Sequence, residues 1–203
     1  MKIICIGRNY VDHAKELNNP LPKEPVFFLK PDTALVTRNR PFFYPAFSHE
    51  IHHELEIVVK IMKNGRHIQE KFAHTYYDEI GLGLDFTARD RQQVCKEKGL
   101  PWEIAKAFDN SAPVSKFVNK EKFANLKNIS FHLLKNGEMV QDGNSGLMIF
   151  AIDQIISYVS EFITLKMGDL IFTGTPAGVG PVKIGDRLEG FLDNEKALKC
   201  DIK

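Results

Sequence analysis

A chain of 203 residues with an apolar fraction of 43% has room for one domain (1–203) with its own core. The net charge of +1 excludes a polyelectrolyte tail or a nucleic-acid footprint and points to a small-molecule partner. Cys5, Cys95 and Cys200 are scattered and free of any C-x-x-C pair, which excludes a disulfide framework and a thiolate zinc site. The opening apolar run is too short for a signal peptide or a bilayer span, so the expectation is a cytoplasmic protein with no membrane partner.

In chain order, Ile3 to Ile6 reads as a short buried strand closed by Gly7, and Asn9 reads as the cap of a helix starting near Tyr10. His13 and Glu16 share one face of that helix. They are either an acid/base dyad on a mobile element or a weak pair on a solvated face. Asn18-Asn19-Pro20-Leu21-Pro22 breaks the helix before an apolar strand, Val26 to Leu29, and Pro31, Pro41 and Pro45 mark an irregular stretch.

The stretch His52 to Ile61 organises the rest. Leu55, Ile57, Val59 and Ile61 alternate with Glu54, Glu56 and Val58, so a strand puts the aliphatic set on one face and both carboxylates on the other. Two like charges on one face call for a cation, and a divalent metal suits them; an E-x-E facing water is the plainer alternative. Asn64-Gly65 predicts a two-residue hairpin turn, and Phe72 to Asp78 a short helix. In the strand Ile80 to Phe86, Leu82, Leu84 and Phe86 share one face. Gly81, Gly83 and Asp85 share the other, where the glycines would give a metal and its waters room. Asp85 is then a third ligand or, alternatively, a helix cap.

Thr87 and Asp90 fit a capping box for a helix running to Lys98 and stopping at Gly99. Arg89 and Gln92 on its first turns can reach a ligand, whereas Lys96 is expected to face solvent. Lys106, set among Ile104, Ala105, Ala107 and Phe108, is either snorkelling or held at a site. Ile129 to Leu134 and Met139-Val140 form a hairpin about Asn136-Gly137. Ile149 to Ile163 is an amphipathic helix packing on the sheet. A strand at Leu170–Phe172 delivers Thr173 to Pro181, whose glycines can gather backbone N–H groups around an anion beside the Thr175 hydroxyl. A last hairpin spans Arg187–Asp193 and Ala197–Ile202. Strands outnumber helices, so the class is a β-rich mixed α/β fold with a few packed helices.

Together, Gly7-Arg8-Asn9-Tyr10 with His13, His53-Glu54-Leu55-Glu56, Leu84 to Asp90 with Gln92, and Gly174 to Pro181 resemble the fumarylacetoacetate hydrolase family. Lys98 to Trp102, Ala105-Lys106 and Pro113-Val114-Ser115 resemble its small acylpyruvate hydrolase and oxaloacetate decarboxylase branch. The resemblance implies a β-roll, a homodimer, and Mg²⁺ or Mn²⁺ held by Glu54, Glu56 and Asp85. It also implies a lid of about residues 9–24 carrying a His13–Glu16 dyad, with Arg89, Gln92, Lys106 and Thr175 around a small 2-oxo acid. The expected activity is metal-dependent cleavage of the C3–C4 bond of acylpyruvates, with possible oxaloacetate decarboxylation and Lys106 stabilising an oxyanion. Alternatives are an oxaloacetate tautomerase, an isomerase or decarboxylase of aromatic-degradation 2-oxo acids, and a non-catalytic binder of metal or 2-oxo acid.

Overall fold

A computed structural model describes residues 1–16 and 20–203. The predicted helix break falls partly on Leu17, Asn18 and Asn19, which lie outside the described residues. A six-stranded sheet runs in the order Val26–Lys30, Ile3–Gly7, Leu170–Phe172, Leu55–Ile61, Tyr77–Leu84, Val118–Asn119. Ile3–Gly7 pairs parallel with Leu170–Phe172, and the neighbouring pairs are antiparallel. A second, four-stranded sheet runs Glu138–Asn144, Ser130–Lys135, Arg187–Leu192, Glu195–Asp201. The fold is therefore the strand-rich mixed α/β class that the sequence predicts.

The alternation in Leu55–Ile61 places the core. Leu55, Ile57, Val59 and Ile61 join Ile80, Leu82 and Leu84 in one apolar cluster with Phe131, Leu133, Leu188 and Leu198 of the second sheet. The opposite face carries Glu56 and Val58, and Val58 packs in a smaller cluster with Ile3, Cys5 and Phe172. The organising strand thus has a core face and a site face, as its period of two requires. The Asn136-Gly137 hairpin turns as predicted, with φ of 55° and 88°. The last hairpin has arms Arg187–Leu192 and Glu195–Asp201 and turns at Asp193-Asn194 (φ 45° and 67°) rather than at 194–196, because this left-handed pair matches strand twist.

Several local readings are corrected. Asn9 caps no helix; its side-chain amide donates to Phe150 O (3.0 Å) and Thr173 O (2.7 Å) while its oxygen accepts from Phe150 N (2.8 Å). The helix at this point is Val11–Glu16. Asn64-Gly65 makes no hairpin turn. Gly65 instead forms a bridge to Leu165, and a Cβ there would stand 2.3 Å from the Tyr76 ring, so the glycine serves close packing. The strand that returns along Leu55–Ile61 begins only at Tyr77, after a helix at Glu70–Ala73 rather than Phe72–Asp78. It ends at Leu84 instead of Phe86. Gly83 makes room for apolar neighbours and not for a metal: a Cβ would lie 2.4 Å from Phe172 and 2.7 Å from Val58. Gly81 likewise yields to Ser115 and Phe117.

The helix Arg89–Lys98 ends on Gly99 in the left-handed conformation, as predicted. Its capping box does not form, because Thr87 lies in a short strand and Asp90 accepts from Ser48 Oγ (2.6 Å). The amphipathic helix is Ile152–Phe162, shorter than predicted; it buries Ile152, Ile155, Ile156 and Val159, leaves Phe162 exposed, and packs against Glu70–Ala73.

Candidate functional site

The strand Ile51–His53 is separated from Leu55–Ile61 by one residue, and that residue is Glu54. Its carbonyl accepts from Asp85 N at 2.8 Å, which fixes the two residues side by side just past the end of Tyr77–Leu84. Glu56 stands opposite Gly83 on the neighbouring strand. Glu54, Glu56 and Asp85 are 6%, 2% and 1% exposed, and each offers an oxygen within 4.8 Å of the others. Three buried carboxylates at this spacing need cations.

The protein supplies three. Lys106 Nζ donates to Glu54 Oε2 (2.9 Å) and Asp85 Oδ2 (2.8 Å), and Arg89 Nη2 donates to Glu54 Oε1 (2.7 Å). Lys30, a fully buried lysine that the sequence reading missed, lies 2.8 Å from Asp85 Oδ1. Burial alone would raise the Glu54 carboxyl, but Lys106 and Arg89 outweigh it and hold the group well below the usual range. Glu56 goes the other way. Burial, then the charges of Asp85 and Glu54, push it up, and among the described residues its hydrogen bond comes from a backbone donor, Gly174 N at 2.6 Å. Burial would lower Lys106, yet Asp85 and Glu54 prevail and raise it.

The donor set fits a hard divalent ion. It consists of three carboxylate oxygens, one of which, Asp85 Oδ1, is buried without an aligned hydrogen bond despite its closeness to Lys30. Around the cluster runs a cavity that His13, Arg89, Gln92, Lys106 and Thr175 also line. All the predicted site residues except Glu16 therefore face one space. Glu16 stands behind His13, whose Nδ1 is 3.2 Å from Glu16 Oε2. The other Glu16 oxygen accepts from Gly178 N at 3.1 Å. Gly178 has φ of 96° and a Cβ there would meet Val140 O at 2.1 Å, so only glycine fits.

The glycine-rich turn does gather N–H groups around anions, but those anions are the chain's own Glu56 and Glu16. The Thr175 hydroxyl is committed too. It donates to Leu55 O (2.8 Å) and accepts from Gln141 Nε2 (2.8 Å). Gln141 is the second residue sequence reasoning missed: its oxygen accepts from Leu55 N (2.9 Å) and bonds His53 Nδ1 (3.1 Å), and its amide also reaches Pro176 O (3.1 Å). Burial holds His53 down to about 4, hence neutral, so Nδ1–H can be the donor. Gln92 accepts from Arg89 Nη1 at 2.7 Å. Lys96 is exposed, as expected, and is also among the residues that line the cavity.

A signal for Lys30 did exist, since a lysine closing the apolar strand Val26–Lys30 is as conspicuous as Lys106 among its apolar neighbours. Gln141 had none; a glutamine in a polar hairpin arm looks like any other.

Comparison with known proteins places these residues in context. Residues 2–202 match the family model described as fumarylacetoacetate (FAA) hydrolase C-terminal. The chain is 48% identical over 201 residues to oxaloacetate tautomerase FAHD1, mitochondrial, of Mus musculus, covering 99% of this chain and 91% of that one. It is 46% identical over 203 residues to oxaloacetate decarboxylase, mitochondrial, of Dictyostelium discoideum, covering 99% and 93%. The crystal structure of fumarylpyruvate hydrolase from Pseudomonas aeruginosa in complex with Mn²⁺ and pyruvate superposes with a TM-score of 0.94 at 36% identity, over 100% of this chain and 89% of that one.

Proposed function

This chain belongs to the fumarylacetoacetate hydrolase family, and from that premise we propose that it is a Mg²⁺- or Mn²⁺-dependent enzyme of oxaloacetate, whose main reaction is enol–keto tautomerisation. The observation that carries this reading is the pairing, across one cavity, of a three-carboxylate cluster with a single acid/base group, His13 backed by Glu16. Glu54, Glu56 and Asp85 would hold the ion. When bound, it supplies Lewis-acid polarisation of the 2-oxo acid.

Tautomerisation moves one proton between C3 and the enol oxygen, and breaks no carbon–carbon bond. His13 can serve it alone, because Nδ1 is taken by Glu16 and Nε2 remains for the substrate. Glu16, itself fixed by Gly178 N–H, sets the ring's orientation. Arg89 and Gln92, joined to each other, stand ready for substrate oxygens. Acylpyruvate hydrolysis is the leading expectation from the sequence, and Lys106, which spends two of its three N–H donors on Glu54 and Asp85, can serve either reaction. What favours oxaloacetate is the names of the mouse and Dictyostelium relatives.

Acylpyruvate cleavage stands as the second reading, supported by the likeness to the fumarylpyruvate hydrolase. A silent binder would need the carboxylates but not the dyad. The deciding experiment follows ketonisation of oxaloacetate, its decarboxylation, and acetylpyruvate cleavage on chelator-stripped protein with Mg²⁺ restored. Ketonisation should be fastest and should fall about 10²–10⁴-fold in His13→Gln. Faster cleavage of acetylpyruvate would overturn the assignment in favour of the hydrolase.

A further inference from the structure

We propose that Arg8 and Lys96 form a cationic wall that binds the distal carboxylate of the substrate, and that this wall makes the cavity selective for dicarboxylic over neutral-tailed 2-oxo acids. The inference rests on the reading of the site as one for a 2-oxo acid.

Both residues line the same cavity as Glu54, Glu56 and Asp85. Their charges differ from those of the cations around the carboxylate cluster. Lys30, Lys106 and Arg89 are each paired with Asp85 or Glu54. Arg8 and Lys96 enter no salt bridge and their side chains make no hydrogen bond among the described residues, and the three residues outside the description, Leu17, Asn18 and Asn19, bring no charge. The floor of the cavity is thus anionic and internally compensated, while one wall is cationic and uncompensated.

The wall is also held in place. Arg8 has φ of 59°, a left-handed conformation that costs an arginine free energy and persists because Asn9 is pinned by Phe150 and Thr173 on one side and Gly7 is held in its strand on the other. Lys96 Nζ lies 5.8 Å from the ring centre of Trp102, another lining residue. Burial, then the like charges of Arg89 and Arg8, push the Lys96 ammonium down, a crowding that a bound anion relieves. A methyl tail would leave both cations facing an apolar group, and a carboxylate gives each a charge-assisted hydrogen bond.

Calorimetry on the Mg²⁺-loaded full chain with malate and lactate tests the wall, because the two share a 2-hydroxy acid head, differ by the distal carboxylate, and do not react by the proposed chemistry. Malate should bind about tenfold more tightly or better. The malate-to-lactate ratio should shrink several-fold in Lys96→Met and in Arg8→Asn, the latter chosen because asparagine tolerates the left-handed conformation, and Lys96→Arg should restore it. An unchanged ratio in both variants, with native circular dichroism, overturns the proposal. Its fate is separable from that of the function. If the wild type turns over neither oxaloacetate nor acetylpyruvate yet discriminates malate through these residues, the wall stands and the enzyme assignment falls.

Discussion

Replacing Gln141 by leucine tests how the site face is held to the glycine-rich turn. The side chain is 2% exposed and makes four hydrogen bonds, to His53 Nδ1, Leu55 N, Thr175 Oγ1 and Pro176 O, at 2.8 to 3.1 Å. Leucine has nearly the same volume, so the packing term is small. What is lost is polar satisfaction on both sides of the joint. At about 1 kcal/mol net for each bond, four bonds give roughly 4 kcal/mol. For a chain of this length that corresponds to a fall of about 8–16 °C in Tm. The assay is urea unfolding followed by the fluorescence of Trp102, the single tryptophan, which lines the cavity and so reports on the site as well as on the fold. A loss below about 1 kcal/mol would refute the reasoning, since the four partners would then find water or one another without the amide.

Lys30→Met leaves Asp85, the Ser111 hydroxyl and the carbonyls of Phe86, Lys106 and Ser111 without their shared donor, and should cost about 3–5 kcal/mol by the same urea assay. Asp85→Asn removes the ligand with the orphaned oxygen and should weaken Mn²⁺ binding at least tenfold by electron paramagnetic resonance, whereas affinity equal to the wild type would exclude Asp85 from the metal site. All three cysteines are buried, and burial pushes the Cys200 thiol up to about 12 and the Cys5 thiol up as well. None should react with a thiol-specific disulfide reagent at pH 8 until the chain unfolds, when three equivalents should appear. Because the folded chain favours the protonated thiols, their stabilising contribution is complete below pH 9 and is lost progressively as pH rises towards 12, which alkaline titration of the unfolding midpoint will show.

The metal cluster was legible because its causes are local. Glu54, just before the alternating strand Leu55–Ile61, and Glu56 within it lie two apart, and period two sends both to the face that the aliphatic residues avoid. The Asn136-Gly137 turn was legible for a like reason, since both residues favour positive φ. Asn64-Gly65 carries the same dipeptide and was misread, because there the glycine answers to the Tyr76 ring, farther along the chain, and not to a turn. Thr87 shows the same limit: its hydroxyl prefers Glu54 Oε1, at 2.9 Å, to a helix N–H. Propensity reads what a residue can do for its neighbours in sequence, and a tertiary partner supplied late in the chain overrides it. Lys106 was found as a residue while its pairing with Glu54 and Asp85 was not, for a lone lysine gives no hint that two carboxylates from distant parts of the chain await it.

The position of Asn9 bears on the order in which the molecule is made. Its amide joins Phe150 and Thr173, the latter 164 residues away, and the strand just before it takes its parallel partner from Leu170–Phe172. A nascent chain therefore carries Ile3–Gly7 with one edge unpaired until Leu170–Phe172 emerges. Pairings of this sequence separation close slowly and late, so the dyad at His13 and the turn at Gly178 meet only after the chain through Gly178 has left the ribosome. During that interval the open edge of Ile3–Gly7 is available for wrong strand pairing.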